Sequence, residues 1–302
     1  MIVYDVQHLF KIYPGQTTPA NQDICLQIQA GEIFGFLGDN GAGKSTLVRQ
    51  MANLVRSTSG SITLFGKAVG AEDLYAPRFV GYMPQDGLAL NNLTVGEALY
   101  FTAHLRGLSR RQARKECDEL LELWGLRPLR NKPNIRLSGG QKRLLQLAVA
   151  LAGKPPVLLL DEPTNDLDPQ RRKQVWEVLR SLNRTHGVTI IFITHDALEA
   201  EKIIQRVGIM RLGRLVALGK PSELKASVDQ KLRLELFFSP EAPPCLPAGL
   251  DPIPVDPGRW LVYLDRSMAG QVLNQLDLER LDDFRLYSAT LEDLYLHYAN
   301  HA

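Results

Sequence analysis

The segment that decides the fold is Ile33–Thr46, which reads IFGFLGDNGAGKST. An apolar run ends at Leu37, a glycine-rich turn follows it, and a helical pattern begins near Lys44. This order of strand, loop and helix is the setting of a P-loop, whose glycines let successive backbone N–H groups turn toward phosphate oxygens. An ordinary glycine-rich turn is the alternative, and the flanking strand and helix argue against it. The sequence therefore predicts phosphate binding by Gly38, Asn40, Gly41, Ala42, Gly43, Lys44, Ser45 and Thr46.

Several side chains near this loop are suited to a nucleotide and its metal ion. Lys44 is expected to reach the β- and γ-phosphates, and the Ser45 hydroxyl to ligate Mg²⁺. A second apolar run, Val157–Leu160, ends in the carboxylates Asp161 and Glu162. At a sheet edge beside the P-loop, Asp161 would hold Mg²⁺ through water. Strand alternation predicts that Glu162 points the other way, where it would accept a proton from an attacking water.

A second anion site is predicted at Leu137–Gln141, which reads LSGGQ. Ser138 and Gln141 have the spacing of a capping box, and an apolar helical pattern follows them. A helix start with two glycines offers bare backbone amides to an anion. An ordinary capped helix start explains the segment when it is taken alone. Beside a P-loop, a second anion site indicates that two chains share nucleotides, because one nucleotide has one γ-phosphate.

The fold class follows from how these segments alternate. The apolar runs Ile33–Leu37, Val157–Leu160 and Thr189–Thr194 each feed a helical pattern, which is typical of a parallel sheet covered on both faces. Residues of about 94–153 form a helical block with capping-box pairs at Thr94/Glu97 and Ser109/Gln112. One helix of this block has the apolar stripe Cys117, Leu120, Leu121 and Trp124, followed by a stop at Gly125. The predicted fold is an α/β P-loop NTPase with an inserted helical subdomain.

The C-terminal part of the chain differs in charge and composition. The net charge is +2, but residues 226–302 hold 6 basic and 12 acidic side chains, while residues 1–225 hold 29 and 21. Seven prolines lie from Pro240 to Pro257, a stretch expected to lack regular structure. Around it we predict three strands and two helices: Lys231–Phe238, Trp260–Leu264 and Phe284–Tyr287, with Met268–Leu276 and Leu291–Ala299. The sequence thus predicts two domains, a core of residues 1–225 and a small α+β domain of residues 226–302.

Composition excludes several classes of protein. With 45% apolar and 23% charged residues, the chain has the profile of a globular protein. No apolar run approaches the roughly 20 residues of a membrane-spanning helix, and Met1–Tyr13 lacks the layout of a signal peptide. Cys25, Cys117 and Cys245 lie far apart and are expected to be reduced, packed thiols rather than metal ligands.

With these motifs in this order, residues 2–225 resemble the nucleotide-binding domain of ABC transporters. Gly38–Thr46 is similar to the family's Walker A, Asp161–Glu162 to its Walker B and catalytic glutamate, and Leu137–Gln141 to its signature motif. Asn165–Asp168 resembles the D-loop. The resemblance also implies roles for three single residues: Gln85 of the Q-loop touches Mg²⁺, His195 is the switch histidine at the γ-phosphate, and Tyr13, with Phe10 as a competitor, stacks on adenine.

The resemblance implies an ATPase that binds ATP and Mg²⁺. Its catalytic residues would be Glu162, His195 and Gln85, and its metal-binding residues Ser45, Gln85 and Asp161. It would form a head-to-tail dimer, either with a second copy or with a similar ATPase subunit. In that dimer, ATP on one P-loop is closed over by the signature motif of the other chain, and the nucleotide-binding residues added are Ser138, Gly139, Gly140, Gln141 and Asp168.

The partner implied by this cycle is a separate integral membrane subunit, docked near Gln85 and the helical block. The chain would then lie at the cytoplasmic face of the cell membrane as a peripheral protein. One Walker A and no heptad repeat argue against a nucleic-acid partner.

Two C-terminal segments resemble the drug- and polysaccharide-exporter branch of the family. They are Gly208–Pro221 and Leu291–Tyr295, the latter reading LEDLY. An importer ATPase stays open as an alternative, because import ATPases also carry C-terminal domains. A non-transport ABC ATPase that switches an envelope complex is a further alternative, and the extension beyond residue 225 counts against it. A small-molecule P-loop kinase leaves Leu137–Gln141 unexplained.

Overall fold

The structure is a computed structural model, and it describes residues 1–85, 90–194, 201–228, 231–247, 249–288, 290–291 and 293–294. The chain divides into two compact units, Met1–Leu218 and Gly219–Ala302. The domain border predicted between residues 225 and 226 falls within helix Pro221–Val228 and stays a prediction.

A six-stranded sheet forms the centre of the first unit. Its strands are β3 (Ile33–Leu37), β6 (Val80–Met83), β7 (Val157–Asp161), β8 (Thr189–Ile193), β9 (Arg206–Arg211) and β10 (Arg214–Gly219), in the spatial order β10-β9-β3-β8-β7-β6. Strands β3, β7 and β8 are buried at every position and pair in parallel, as predicted for a sheet covered on both faces. The predicted α/β fold class is confirmed.

An antiparallel sheet, which the sequence analysis did not identify, lies in the same unit. Its strands are β1 (Ile2–Lys11), β2 (Asn21–Gln29), β4 (Ser59–Leu64) and β5 (Lys67–Ala68), in the order β2-β1-β4-β5. The apolar residues of β1 and β2 share one buried cluster with those of β3 and of helix α1 (Lys44–Met51). This packing fixes the position of the helix that follows the glycine-rich loop.

The predicted helical block consists of α3 (Val95–Leu105), α4 (Arg110–Leu123) and α5 (Gly139–Leu151). All three begin with the capping box that the sequence predicts, at Thr94/Glu97, Ser109/Gln112 and Ser138/Gln141. The stripe Cys117, Leu120, Leu121 and Trp124 is buried. Two further helices of this unit are α2 (Tyr75–Phe79) and α6 (Pro169–His186).

The second unit contains helices α7 (Pro221–Val228) and α8 (Ala269–Gln275) and a four-stranded antiparallel sheet. The strands are β11 (Leu232–Phe237), β12 (Ile253–Asp256), β13 (Arg259–Leu264) and β14 (Asp283–Ser288), in the order β12-β13-β11-β14. Leu234, Leu236 and Val262 form the centre of its core. Of the helix predicted at Leu291–Ala299, residues 292 and 295–299 lie outside the described residues.

Two structural expectations drawn from the sequence are wrong. The proline-rich stretch contains the strand β12, although it was expected to lack regular structure. Pro254 is compatible with this strand because β12 is at the sheet edge, where a missing N–H breaks no central hydrogen-bond ladder. Cys25 and Cys245 are exposed rather than packed, and only Cys117 of the three cysteines is buried.

Among the described residues, the structure contains no helix with the length and apolar character needed to cross a membrane.

Candidate active site

The predicted phosphate loop and the predicted acidic pair lie at the same edge of the central sheet. Strand β8 pairs in parallel with both β3 and β7, so that Ile193 is opposite Phe36 on one side and Asp161 on the other. Residues that follow the three strands therefore project from one edge, which is where open α/β sheets bind ligands. The sheet order brings Lys44 and Asp161 close enough for their charges to interact.

The glycine-rich loop has the backbone of a phosphate cradle. Gly43 has a φ of +98°, and a Cβ atom added there would lie 2.1 Å from the carbonyl oxygen of Ala20. The loop is further fixed by the buried Asn21, whose side-chain nitrogen donates to the Gly43 carbonyl at 3.0 Å. Helix α1 begins at Lys44, and no described side chain caps its first N–H groups. These N–H groups are therefore available for an anion.

Lys44 spans this loop from the inside. Its Nζ donates to the carbonyl oxygens of Gly38 at 2.7 Å and of Asp39 at 2.8 Å. Burial lowers the pKa of the Lys44 ammonium, while the carboxylates of Glu162 and Asp161 act in the opposite direction. A charged lysine with only backbone carbonyls as hydrogen-bond partners in the described structure is suited to bind phosphate oxygens.

Asp161 and Ser45 fit a magnesium site. Asp161 is buried, and neither of its carboxylate oxygens forms a hydrogen bond of good geometry with a described residue. Burial raises the pKa of Asp161, and the nearby Ser45 hydroxyl acts against this shift. A buried carboxylate in this state needs a cation or water beside it, and carboxylate and hydroxyl oxygens are ligands that Mg²⁺ accepts.

Glu162 lies directly after β7 in an unusual backbone conformation. Its φ is +55°, and its N–H donates to the Ile193 carbonyl at 2.9 Å. The strand alternation that predicted its direction does not extend to it, because the strand ends at Asp161. A left-handed conformation in a residue other than glycine costs about 1–3 kcal/mol and persists where the surrounding structure enforces it.

Arg143 is a residue of the site that sequence reasoning missed. Its guanidinium is buried and donates to the carbonyls of Glu162 at 2.6 Å and Gln85 at 3.0 Å, and to the Gln146 side chain at 3.0 Å. It joins helix α5 to the two loops that carry the predicted catalytic residues. The sequence contained one sign of this role. Arg143 directly precedes the apolar run of α5, a helix whose other buried residues are mostly leucine and alanine.

The predicted second anion site is a capped and accessible helix start. The Gln141 N–H donates to the Ser138 hydroxyl at 3.4 Å, and the Ser138 N–H donates to the Gln141 side chain at 3.1 Å. Ser138 and Gly139 are exposed. A Cβ atom on Gly140 would lie 3.4 Å from the Asp166 carbonyl, so that the signature and D-loop segments are adjacent within the chain.

Comparison with known proteins identifies the family. A family model described as ABC transporter matches residues 21–165. The linearmycin resistance ATP-binding protein LnrL of Bacillus subtilis (strain 168) is 38% identical over 216 residues, which cover 72% of this chain and 69% of LnrL. The chain belongs to the ABC transporter ATP-binding proteins. It is accordingly an ATP-binding protein and an ATPase.

Other relatives of this ABC ATPase differ in size, and one of them is named as an import protein. The methionine import ATP-binding protein MetN of Cupriavidus metallidurans is 37% identical over 222 residues, covering 72% of this chain and 64% of MetN. ATP-binding cassette sub-family A member 7 of Rattus norvegicus is 37% identical over 238 residues, and the match covers 79% of this chain but only 11% of that protein. The dimeric post-hydrolysis state of the ATP-binding cassette MJ0796, bound to ADP and Pi, matches with a TM-score of 0.68 at 25% identity, covering 72% of this chain and 98% of that one.

The remaining predicted residues of the ABC ATPase have the following places. The Tyr13 hydroxyl is 3.4 Å from the Thr46 hydroxyl of α1, so the ring of this half-buried residue lies beside the phosphate loop. Asp168 caps α6 by accepting the Arg171 N–H at 2.9 Å, and its predicted role at the nucleotide stays a prediction. Gln85 is exposed. His195 lies outside the described residues.

Proposed function

We propose that this ABC ATPase hydrolyses ATP with Mg²⁺ at its own P-loop, contacts the ATP of a second ATPase chain through Ser138–Gln141, and drives a separate membrane subunit of an exporter. The observation that carries the proposal is the separation of roles within one chain. Lys44, Asp161 and Glu162 meet at one sheet edge, while the capped helix start at Ser138 is exposed.

Each residue of the sheet edge has a distinct task in this mechanism. The N–H groups at the start of α1 and the Lys44 ammonium bind the phosphates, and Ser45, Asp161 and Gln85 hold the metal ion. Mg²⁺, when bound, neutralises charge on the phosphate oxygens. Glu162 accepts a proton from the attacking water, and His195 contacts the γ-phosphate. The left-handed backbone of Glu162, fixed by Ile193 and Arg143, holds the carboxylate in one direction before the reaction.

The γ-phosphate is the element that both chains of the dimer bind. ATP therefore favours the closed dimer, and hydrolysis removes the contact that stabilises it. The dimeric structures of MJ0796, one of them bound to ADP and Pi, support dimer formation. Two copies of this chain, or this chain and a similar ATPase subunit, would provide the two halves.

A groove near Gln85 is the proposed contact surface for the membrane subunit. It has a volume of ≈ 830 Å³, and its lining includes Leu54, Leu74, Leu105 and Tyr82. Leu54, Leu74 and Leu105 are 61%, 66% and 86% exposed, which is a high apolar exposure for one surface. Tyr82 lies three residues before Gln85, so the strand that leads to the proposed metal-binding loop also lines the groove. We propose a short amphipathic segment of a cytoplasmic loop of the membrane subunit as its occupant.

Export is the proposed direction of transport because LnrL is named as a resistance protein and the C-terminal segments resemble exporter ATPases. Import is the second candidate, and the similarity to MetN favours it. Transport measured with inverted membrane vesicles distinguishes the two: ATP-driven accumulation inside the vesicles supports export, and ATP-driven release from loaded vesicles supports import.

The catalytic proposal is tested by Glu162→Gln. Loss of the general base should lower turnover by about 10²–10⁴-fold, while ATP-bound dimer accumulates in size-exclusion chromatography. Glu177→Gln is the matched control, because Glu177 is exposed and pairs only with Lys173 at 3.9 Å in the described structure. Fast hydrolysis by the Glu162→Gln chain would exclude the proposed base.

The docking proposal is tested by Leu105→Glu. Leu105 is exposed and is not one of the residues at the sheet edge that are proposed to bind ATP. The ATPase rate of the isolated chain should therefore stay unchanged. Recovery of the membrane subunit with the tagged chain from membranes should be lost. Leu123→Glu, at an exposed position outside the groove lining, is the control. Equal recovery by both variants would place the membrane subunit elsewhere.

A further inference from the structure

A cluster of metal-ligand side chains lies on the antiparallel sheet, where strands β1 and β2 pair. His8 Nδ1 is 2.8 Å from Asp23 Oδ1 and 3.7 Å from Cys25 Sγ. The three ligand atoms all lie within 4.8 Å of one another. We propose that His8, Asp23 and Cys25 form a surface site for a zinc-type divalent cation, bound through an imidazole, a carboxylate and a thiolate.

Irregular strand pairing brings these side chains together. The register of β1 and β2 shifts between Val6 and Leu9, so that two residues of β1 face Cys25 of β2. His8 has a φ of +47° and Asp23 a φ of +53°, and the His8 N–H donates to Cys25 Sγ at 3.3 Å. Asp23 and Cys25 are two residues apart on β2 and therefore share a face of the sheet, and the bulge in β1 places His8 beside them.

The geometry favours a metal site over a nucleophilic cysteine. In a Cys–His–Asp relay, the thiol and the carboxylate bind opposite nitrogens of the imidazole ring, so that the carboxylate orients the base. Here both Asp23 and Cys25 face the same nitrogen, Nδ1. A cation beside Nδ1 can contact all three groups at once.

The separations of His8 Nδ1 from the other two ligand atoms are close to those of a tetrahedral zinc site, and the ligand atoms of Asp23 and Cys25 lie within 4.8 Å of each other. Zinc bond lengths of about 2.0–2.3 Å place nitrogen and sulfur ligands about 3.6 Å apart, and nitrogen and oxygen ligands about 3.4 Å apart. The His8–Cys25 distance fits without change. Asp23 needs a movement of about 0.6 Å, which a carboxylate with 54% of its side chain exposed can make by rotation. Imidazole with thiolate selects zinc over Mg²⁺ or Ca²⁺, and the exposure of the cluster leaves the fourth position to water.

The proposal is tested on the full chain, reduced, stripped of metal and free of nucleotide, by titration with Co²⁺ followed by Zn²⁺. The expected result is a sulfur-to-cobalt charge-transfer band that Zn²⁺ abolishes. Cys25→Ser should remove the band, and His8→Gln should weaken Zn²⁺ binding by about 10–100-fold or more. Cys245→Ser, at the other exposed cysteine, should leave both unchanged. A wild-type chain without the band, or a Cys25→Ser chain that retains it, would overturn the site.

Two further readouts test the ligand set. Zn²⁺ should raise the thermal midpoint of the wild-type chain and of Cys245→Ser, but not that of Cys25→Ser, because a ligand bound only to the folded state stabilises it. Asp23→Asn should weaken Zn²⁺ binding, since an amide oxygen is the poorer ligand. Unchanged affinity in Asp23→Asn would exclude the three-ligand site. Retained ATP binding shows that each variant is folded.

Discussion

Burial of Asp161 favours metal binding but lowers the stability of the metal-free folded chain. Because burial raises the pKa of its carboxyl group, the ionised form lowers the stability of the folded chain above the usual pKa of an aspartate. Asp161→Asn should therefore raise the free energy of unfolding of the metal-free, nucleotide-free chain at neutral pH. The gain should shrink as the pH falls through the raised pKa, where Asp161 becomes neutral in the wild type. Urea unfolding at several pH values measures this, with the exposed Asp73→Asn as control. A neutral or destabilising Asp161→Asn at pH 7 would contradict the argument.

Gly43 and Gly41 of the phosphate loop differ in what an added side chain would meet. At Gly41 the cost is the backbone conformation alone, whereas at Gly43 a steric clash is added. Both have a positive φ, of +98° and +83°, but a Cβ on Gly43 meets the Ala20 carbonyl at 2.1 Å, whereas nothing lies within 4 Å at Gly41. Gly41→Ala should cost about 1–2 kcal/mol of stability, from the backbone conformation alone. Gly43→Ala should cost clearly more, because the loop or β2 must also move. Chemical unfolding without nucleotide measures both variants, and equal costs would show that the clash is relieved without strain.

At the scale of elements, helix α5 connects the two proposed nucleotide-contacting regions of the chain. Its start carries the exposed signature segment, and Arg143 in its first turns binds the backbone beside Gln85 and Glu162. A change at Ser138 that shifts α5 along its axis would therefore be transmitted to the loops at the chain's own P-loop. Arg143 is a positioning residue in this view, since it acts through the carbonyls and not on the nucleotide.

Arg143→Met tests this link. Loss of the guanidinium leaves buried carbonyls without donors, at a cost of about 1–3 kcal/mol each. We expect kcat to fall by about 10-fold or more with little change in the KM for ATP, because the P-loop itself is untouched. Arg143→Lys should restore part of kcat, since an ammonium can serve one carbonyl but not both. The exposed neighbour Lys142→Ala is the control. A change in KM alone would assign Arg143 a role in ATP binding, and no rescue by lysine would assign it a role in folding only.

Elements with local signals could be predicted from the sequence, and those fixed by distant contacts could not. Strands β3, β7 and β8 are apolar at nearly every position, and the three capping boxes are local pairs, so both were correctly predicted. The strand β12 was missed because an edge position tolerates Pro254, and edge positions are not visible in a single sequence. The left-handed Glu162 and the buried Arg143 depend on Ile193 and Gln85, which are distant in the chain. The cluster at His8 depends on a β-bulge that no residue pattern in the sequence predicted.

At the scale of the whole molecule, the proposed head-to-tail dimer predicts that two inactive variants restore activity when they are mixed. Lys44→Ala removes the P-loop ammonium but keeps the signature segment, and Ser138→Arg blocks the signature segment but keeps the P-loop. Each variant alone should hydrolyse ATP at background rates, because every composite site in its homodimer contains one damaged half. A mixed dimer contains one intact P-loop facing one intact signature segment. Equimolar mixing should therefore restore about a quarter of the wild-type sites, since random pairing makes half of the dimers mixed and each has one complete site.

The ATPase rate of the two variants, measured alone and after mixing, checks this prediction. Lys44→Ala mixed with Glu162→Gln is the control, because both changes damage the same half of the site and no mixed dimer contains a complete one. Recovery in the first mixture and none in the second requires that residues of two chains complete one site. If the first mixture also fails to recover although mixed dimers form, Lys44→Ala and Ser138→Arg damage the same site. Hydrolysis then takes place within a single chain.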